Sequence, residues 1–233
     1  MVRPAGTSVA SRIRLPDRFR PSRHVPHFSW SASSRWEVRA RTVAVLLVGL
    51  WVFGTGDALL LRAGIGNTPW TVLAEGLGER TGLSVGVLTI LIGAAVLLAW
   101  IPLTERPGLG TVANIVVIGI AIDVMAAVVP TPDRFPAQLA QAVLGVLMVG
   151  VGGALYLSAQ LGPGPRDGWM TGLGQRFDWP ISWVRLGIEV TVLVAGVALG
   201  GTFGLGTVLF ALFIGHSLAW SLAALRPLGA KAP

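Results

Sequence analysis

Six long apolar runs decide what this chain can become. They fall at about 42–61, 84–103, 109–129, 138–161, 182–200 and 205–225, each close to the roughly 20 residues that a helix needs to cross a hydrocarbon layer. No charge interrupts the stretch from Leu83 to Thr104, and the fourth run is equally free of charge. Only 12% of the chain is charged against 53% hydrophobic, whereas soluble domains carry roughly 25% charged residues. So few charges cannot shield this much apolar surface from water. The expected fold is all-α: a polytopic membrane protein of about six transmembrane helices, with the lipid bilayer as its first partner. The run at 42–61 reads as a signal anchor, because it is long and no clean small-residue cleavage site follows it.

Composition then removes whole classes of chemistry. There are no cysteines, so thiolate metal sites, disulfides and cysteine nucleophiles are excluded. Two of the three histidines, His24 and His27, lie in the polar N-terminal region. No GxxxxGK phosphate loop, HExxH helix or supported Ser/His/Asp set occurs. No catalytic residue, cofactor or metal is therefore expected, and the chain reads as a non-enzyme.

The net charge of +7 suggests nucleic acid until it is located. Arg3, Arg12, Arg14, Arg18, Arg20, Arg23, Arg35, Arg39 and Arg41 all precede or open the first span. A basic segment there acts as an orientation signal, with attraction to anionic lipid head groups as an addition, and no nucleic-acid partner is expected. Residues 1–38 read as a disordered cytoplasmic tail, with Trp30 and Trp36 marking its approach to the interface.

Two segments are too polar to span and too apolar for ordinary loops: 64–82 (GIGNTPWTVLAEGLGERTG) and 160–180 (QLGPGPRDGWMTGLGQRFDWP). Each opens on a Gly/Pro-broken turn and continues as a short helical stretch. They are related, because a slide of 96 residues aligns Gly49–Gly119 with Gly145–Gly215 without a gap. Pro69 then falls on Pro165, Gly76-Leu77-Gly78 on Gly172-Leu173-Gly174, and Gly108-Leu109-Gly110-Thr111-Val112 on Gly204-Leu205-Gly206-Thr207-Val208. The reading is a duplication: repeat 1 over 39–132, repeat 2 over 133–226, and a C-terminal tail over 227–233. Three spans per copy is an odd number, so the copies enter the membrane from opposite sides as an inverted repeat. Loop charges agree. With both termini cytoplasmic, the nine N-terminal arginines join Arg106, Arg166, Arg176, Arg226 and Lys231 inside, against Arg62, Arg80 and Arg134 outside.

Paired broken helices in corresponding positions are a pointer to a transporter binding site, since helix N-termini attract anions and free carbonyls attract cations. The bland reading is a pair of interfacial helices that only cover the bundle. Asn67, Pro69, Trp70, Arg166 and Asp167 are the candidates in those segments. For Arg166 and Asp167 the alternatives are a helix-start pair with Asp167 capping, or a gate or substrate contact. Trp70 and Thr71 occupy the equivalent positions in the first copy. Within or near the spans lie Asp57, Asn114, Asp123, Glu189 and His216, where polar groups are costly and face an interior. Asp57 and Asp123 either line an outward cavity or pair with Arg62. Glu189 is expected to pair with Arg185 four residues away, and His216 is either a satisfied interior histidine or a proton relay. Gly82/Gly86, Gly168/Gly172 and Gly196/Gly200 have the spacing that lets helices approach closely.

The strings GNTPWTVLAEGL (66–77), RPGLGTVAN (106–114), ALYLSAQLGPGPRDGWMTGL (154–173) and Glu189–Gly206 resemble the YczE group of bacterial integral membrane proteins, which is related to the YitT-type proteins. The resemblance covers about 42–225, is most specific at GPRDG and omits the arginine-rich tail. It implies a bacterial plasma-membrane location and a multi-helix fold, and supplies no catalytic set. The functional expectation is transporter-like handling of a small-molecule or ion substrate. A non-transporting regulatory or scaffold protein and a channel are the alternatives, and a homo-oligomer is left open. Because the chain lacks cysteine, topology has a direct test. Single cysteines at Thr68, Pro132 and Thr202 should react with an impermeant thiol reagent from outside, and one at Gly164 from inside only. Reaction of 68 and 164 from the same side would overturn the inverted arrangement.

Overall fold

The computed structural model describes residues 25–103 and 105–229, and among these it is helical with no β-strand. The helices are α1 (Ala40–Ala63), α2 (Pro69–Thr81), α3 (Val85–Leu98), α4 (Leu109–Val128), α5 (Phe135–Ala159), α6 (Pro165–Phe177), α7 (Ile181–Leu199) and α8 (Leu205–Leu225). Six are long and apolar enough to cross a membrane: α1, α4, α5, α7, and α3 and α8 when each is counted with the 3-10 turn beyond it. The expected spans match these within a few residues. The starts of α2, α3 and α4 are followed 96 residues later by those of α6, α7 and α8.

α2 and α6 have 13 residues each, about 20 Å of helix, well short of a hydrocarbon core of about 30 Å. Local chemistry sets their limits. Thr68 is extended and its hydroxyl accepts the Thr71 N–H at 3.3 Å, while Pro69 fills the first helical position, where no N–H is needed. α6 opens the same way on Gly164 and Pro165. The turns before them need Gly66 and Gly162, whose φ values of 115° and 109° are closed to most side chains. Left-handed residues, Gly82 and Asp178, then end the two helices.

The centre of the molecule is the crossing of α1 and α5, the most extensive helix pair. It is made by backbone rather than side chains. A Cβ on Gly56 would lie 2.7 Å from the Gly145 carbonyl oxygen, and one on Gly145 would lie 2.8 Å from that of Gly56. Gly49 and Gly152 make the second contact, with a Gly152 Cβ falling 2.6 Å from the Gly49 oxygen. Small residues permit such approach and the dispersion contacts that hold helices together in lipid. α4 packs on α1 and α8 on α5, while α2 lies against α7 and α3. Two loop bonds repeat the same cross-relation: Gly110 N–H donates to Leu161 O and Gly206 N–H to Ile65 O, both at 2.8 Å.

The two halves are not alike in closeness. α3 packs along α4, but α7 stands off α8; α2 is seated closely on α7, but α6 only lightly on α3. One pair of residues accounts for much of the second difference. Gly196 on α7 lets the α2 backbone at Val72 and Leu73 come into direct contact. Trp100, 96 residues earlier, puts a buried indole against Gly168 of α6, and its Nε1–H donates to Pro165 O at 2.9 Å. Of the glycine pairs singled out for close packing, Gly86 abuts Gly119 on α4, Gly168 and Gly172 abut Trp100 and Leu103, and Gly196 abuts α2, whereas Gly82 and Gly200 serve as left-handed helix ends.

Residues 28–36 depart from the disordered tail expected over 1–38, of which 1–24 lie outside the described residues. Phe28 and Trp30 stack at 4.8 Å between centroids and are buried. Trp30 Nε1–H donates to Ser158 Oγ at 2.9 Å, Ala32 N–H to Ala159 O at 2.9 Å, and Ser29 N–H to Gly229 O at 2.9 Å. The reason is that the α5 terminus leaves unpaired carbonyls, and this short strap satisfies them. Trp36, in contrast, is exposed.

The crossing yields a stability prediction. Gly56→Val or Gly145→Val should cost at least about 1–3 kcal/mol by overpacking and lower the melting temperature in detergent. Gly187→Ala, where a Cβ meets nothing within 4 Å, should leave it unchanged.

Candidate solute cavity

A cavity of about 140 Å³ lies between the starts of the two short helices. Thr68, Pro69 and Trp70 of α2 line it from one end of the bundle, and Gly164, Pro165 and Arg166 of α6 from the other. Four pairs of positions 96 residues apart line it together: Asp57 and Gly153, Trp70 and Arg166, Gly93 and Glu189, Asn114 and Phe210. Trp70 and Arg166 touch, with the guanidinium carbon 4.8 Å from the indole centroid, a cation–π contact.

Seven of the ten sequence candidates line this space: Asp57, Pro69, Trp70, Asn114, Arg166, Asp167 and Glu189. Asp57 is 1% exposed on α1, and neither carboxylate oxygen has a hydrogen-bond partner. It does not pair with Arg62, which donates to Val129 O at 3.1 Å. Asp167 does not cap α6. Its Oδ2 accepts the Tyr156 hydroxyl at 2.6 Å, because Tyr156 on α5 points at the first turn of α6. Glu189 makes the expected ion pair with Arg185, at 2.9 Å. The Thr89 hydroxyl, on α3, is buried in the wall and unpartnered.

Three candidates sit elsewhere. Asn67 donates through Nδ2 to Glu75 at 2.9 Å, in a cluster where Glu75 also accepts Thr202 N–H at 2.6 Å and the Thr202 hydroxyl at 2.8 Å. This cluster ties α2 to the α7–α8 loop. Asp123 accepts from Ser84 Oγ at 2.6 Å and Gly86 N–H at 2.8 Å, so it caps the start of α3. His216 is on the outer face of α8, beside Trp220 and away from the cavity.

Sequence reasoning missed Glu75, Tyr156, Thr89 and Trp100. Two carried a readable signal: Tyr156 is the chain's single tyrosine, and Glu75 is a charge inside an otherwise mild segment. Thr89 and Trp100 look like ordinary span residues until their neighbours are known.

The family model of DUF6198, described as a family of unknown function, matches residues 40–222. The chain belongs to the DUF6198 family. The match begins with α1 and ends within α8, so it contains every wall of the cavity. A Haemophilus influenzae relative described as "Uncharacterized protein" is 43% identical over 200 residues, covering 86% of this chain and 92% of its own. The Bacillus subtilis "Uncharacterized membrane protein YczE" is 35% identical over 177 residues, 75% of this chain and 82% of its own, which bears out the resemblance to the YczE group. A second B. subtilis protein, "Uncharacterized protein YyaS", is 26% identical over 166 residues, 70% of this chain and 83% of its own. No solved structure matches the chain.

The two aspartates separate site from scaffold. Asp123→Ala should lower stability by roughly 0.5–2 kcal/mol through loss of the cap. Asp57→Asn should leave the melting temperature unchanged or raise it, because it removes an uncompensated buried charge.

Proposed function

We propose that this DUF6198 protein is transporter-like, moving a small polar solute or ion across the bacterial plasma membrane by exposing one central cavity to alternate sides. The observation that carries the reading is the convergence of two short helices, 96 residues apart, whose first turns both line that cavity. Such half-helices leave unpaired N–H groups aimed at a ligand near the membrane midplane. An unpartnered aspartate in the same wall is costly to keep and is read as functional by default.

The proposal includes an inverted repeat with both termini cytoplasmic. The exchanged glycine contacts of α1 and α5 support it, as do the reciprocal bonds of Gly110 and Gly206. In an inverted repeat, the alternate state follows when the two halves exchange their packing. Here α2 is held to α7 and to the Glu75–Thr202 cluster, while Trp100 keeps α6 from seating as closely on α3. In the proposed orientation that is a closed outer end and a looser inner end. No catalytic or cofactor role is assigned.

Uptake into proteoliposomes tests the function. A panel of labelled amino acids, amines, small carboxylates and monovalent cations should include at least one solute taken up above empty liposomes, with uptake lost in Arg166→Gln. Absence of uptake and binding across the whole panel, by protein that is inserted and monodisperse, would overturn the reading in favour of a regulatory or scaffold role.

A further inference from the structure

We infer that the solute of this cavity is a small zwitterion, with its cationic group against Asp57 and its anionic group against Arg166 and the first turns of α2 and α6. The inference rests on the solute-handling reading above and names the ligand class of that same site.

Five charged residues line the cavity: Asp57, Arg166, Asp167, Arg185 and Glu189. Arg185 and Glu189 satisfy each other as an ion pair. Asp167 keeps its charge, but it is exposed and accepts the Tyr156 hydroxyl. Asp57 and Arg166 are the two charged groups of the wall left with neither an ion pair nor a hydrogen bond among the described residues. They line the same small cavity, yet they form no ion pair, and the Arg185–Glu189 pair is the one found among the described residues. Arg166 rests instead on the Trp70 face. A carboxylate and a guanidinium of one cavity, held apart, are complementary to a ligand that bridges them with opposite ends.

Other ligand classes leave part of the wall uncompensated. A simple cation would satisfy Asp57 but face the Arg166 charge and the positive ends of two helices. A simple anion would be drawn to those donors and repelled by Asp57. A neutral apolar solute would leave both charges and the Thr89 hydroxyl unpaired. Size limits the ligand as well. An engineered cavity of about 150 Å³ holds benzene, so about 140 Å³ admits a solute of roughly six to eight heavy atoms. That is the scale of the shortest amino acids.

Calorimetric titration of the full chain in nanodiscs tests this with six probes: glycine, L-alanine and β-alanine, and the singly charged acetate, propionate and ethylamine. At least one zwitterion should bind at least tenfold more tightly than the three singly charged probes. Asp57→Asn and Arg166→Gln should each weaken it at least tenfold, with an unchanged size-exclusion profile. Asp57→Glu keeps the charge and adds a methylene, so it should retain binding and shift preference toward the shorter zwitterion. An acid or amine that binds as tightly as the best zwitterion would overturn the zwitterion assignment while leaving a solute site in place. So would zwitterion binding that Asp57→Asn leaves unaltered. Silence from all six probes would also overturn it, and the proteoliposome panel then decides separately whether the protein handles any solute.

Discussion

Everything in this protein hangs on a contact that contains almost no side chain. At Gly49–Gly152 and Gly56–Gly145, the backbones of α1 and α5 meet. In lipid there is no hydrophobic force to gather helices, so close backbone packing must supply the cohesion. The position of this crossing determines where α4 and α8 can lie, since each packs on one member of the central pair. The two glycine contacts exchange under the 96-residue shift, Gly49 with Gly145 and Gly56 with Gly152. In the proposed inverted repeat, the axis through the crossing runs close to where Trp70 meets Arg166, because equivalent positions touch only near an axis.

In that proposed repeat, several differences between the copies fall in the cavity wall, and they give the site its charges. Asp57 corresponds to Gly153 and Glu189 to Gly93, all lining the cavity, and Arg166 meets its counterpart Trp70. A duplicated bundle with identical walls would place like groups opposite each other, and like charges in so small a space repel strongly. On the proposed duplication, divergence at these positions turns a symmetric void into a polar one. The same logic applies to packing, where Gly196 and Trp100 make one short helix close-fitting and its counterpart spaced.

Much of the architecture was legible in the chain. Uncharged runs of about 20 residues locate spans because bilayer thickness is a hard constraint. The 96-residue pattern stood out because its glycines and prolines serve backbone geometry, as at Gly66 and Gly162, where few substitutes fit. Asp57, Arg166 and Trp70 were visible as candidates because polar groups in spans are rare. What stayed hidden was partnership. Nothing in the one-dimensional pattern distinguishes Asp57, which has no partner, from Asp123, which caps a helix. Nor does polarity reveal that residues 28–36 dock: a polar segment is read as solvated unless the carbonyls awaiting it at the end of α5 are known.

That docked strap bears on how the molecule is made. Ser29 pairs with Gly229 across 200 positions of sequence, and its neighbours bind Ser158 and Ala159. A ribosome delivers those partners long after it has delivered the strap. During synthesis the strap must therefore wait for them, and its contacts close fully only when the end of the last helix emerges. Such a late, long-range closure carries a large entropic delay, and it makes the arrival of the last helix the step that locks this end of the bundle.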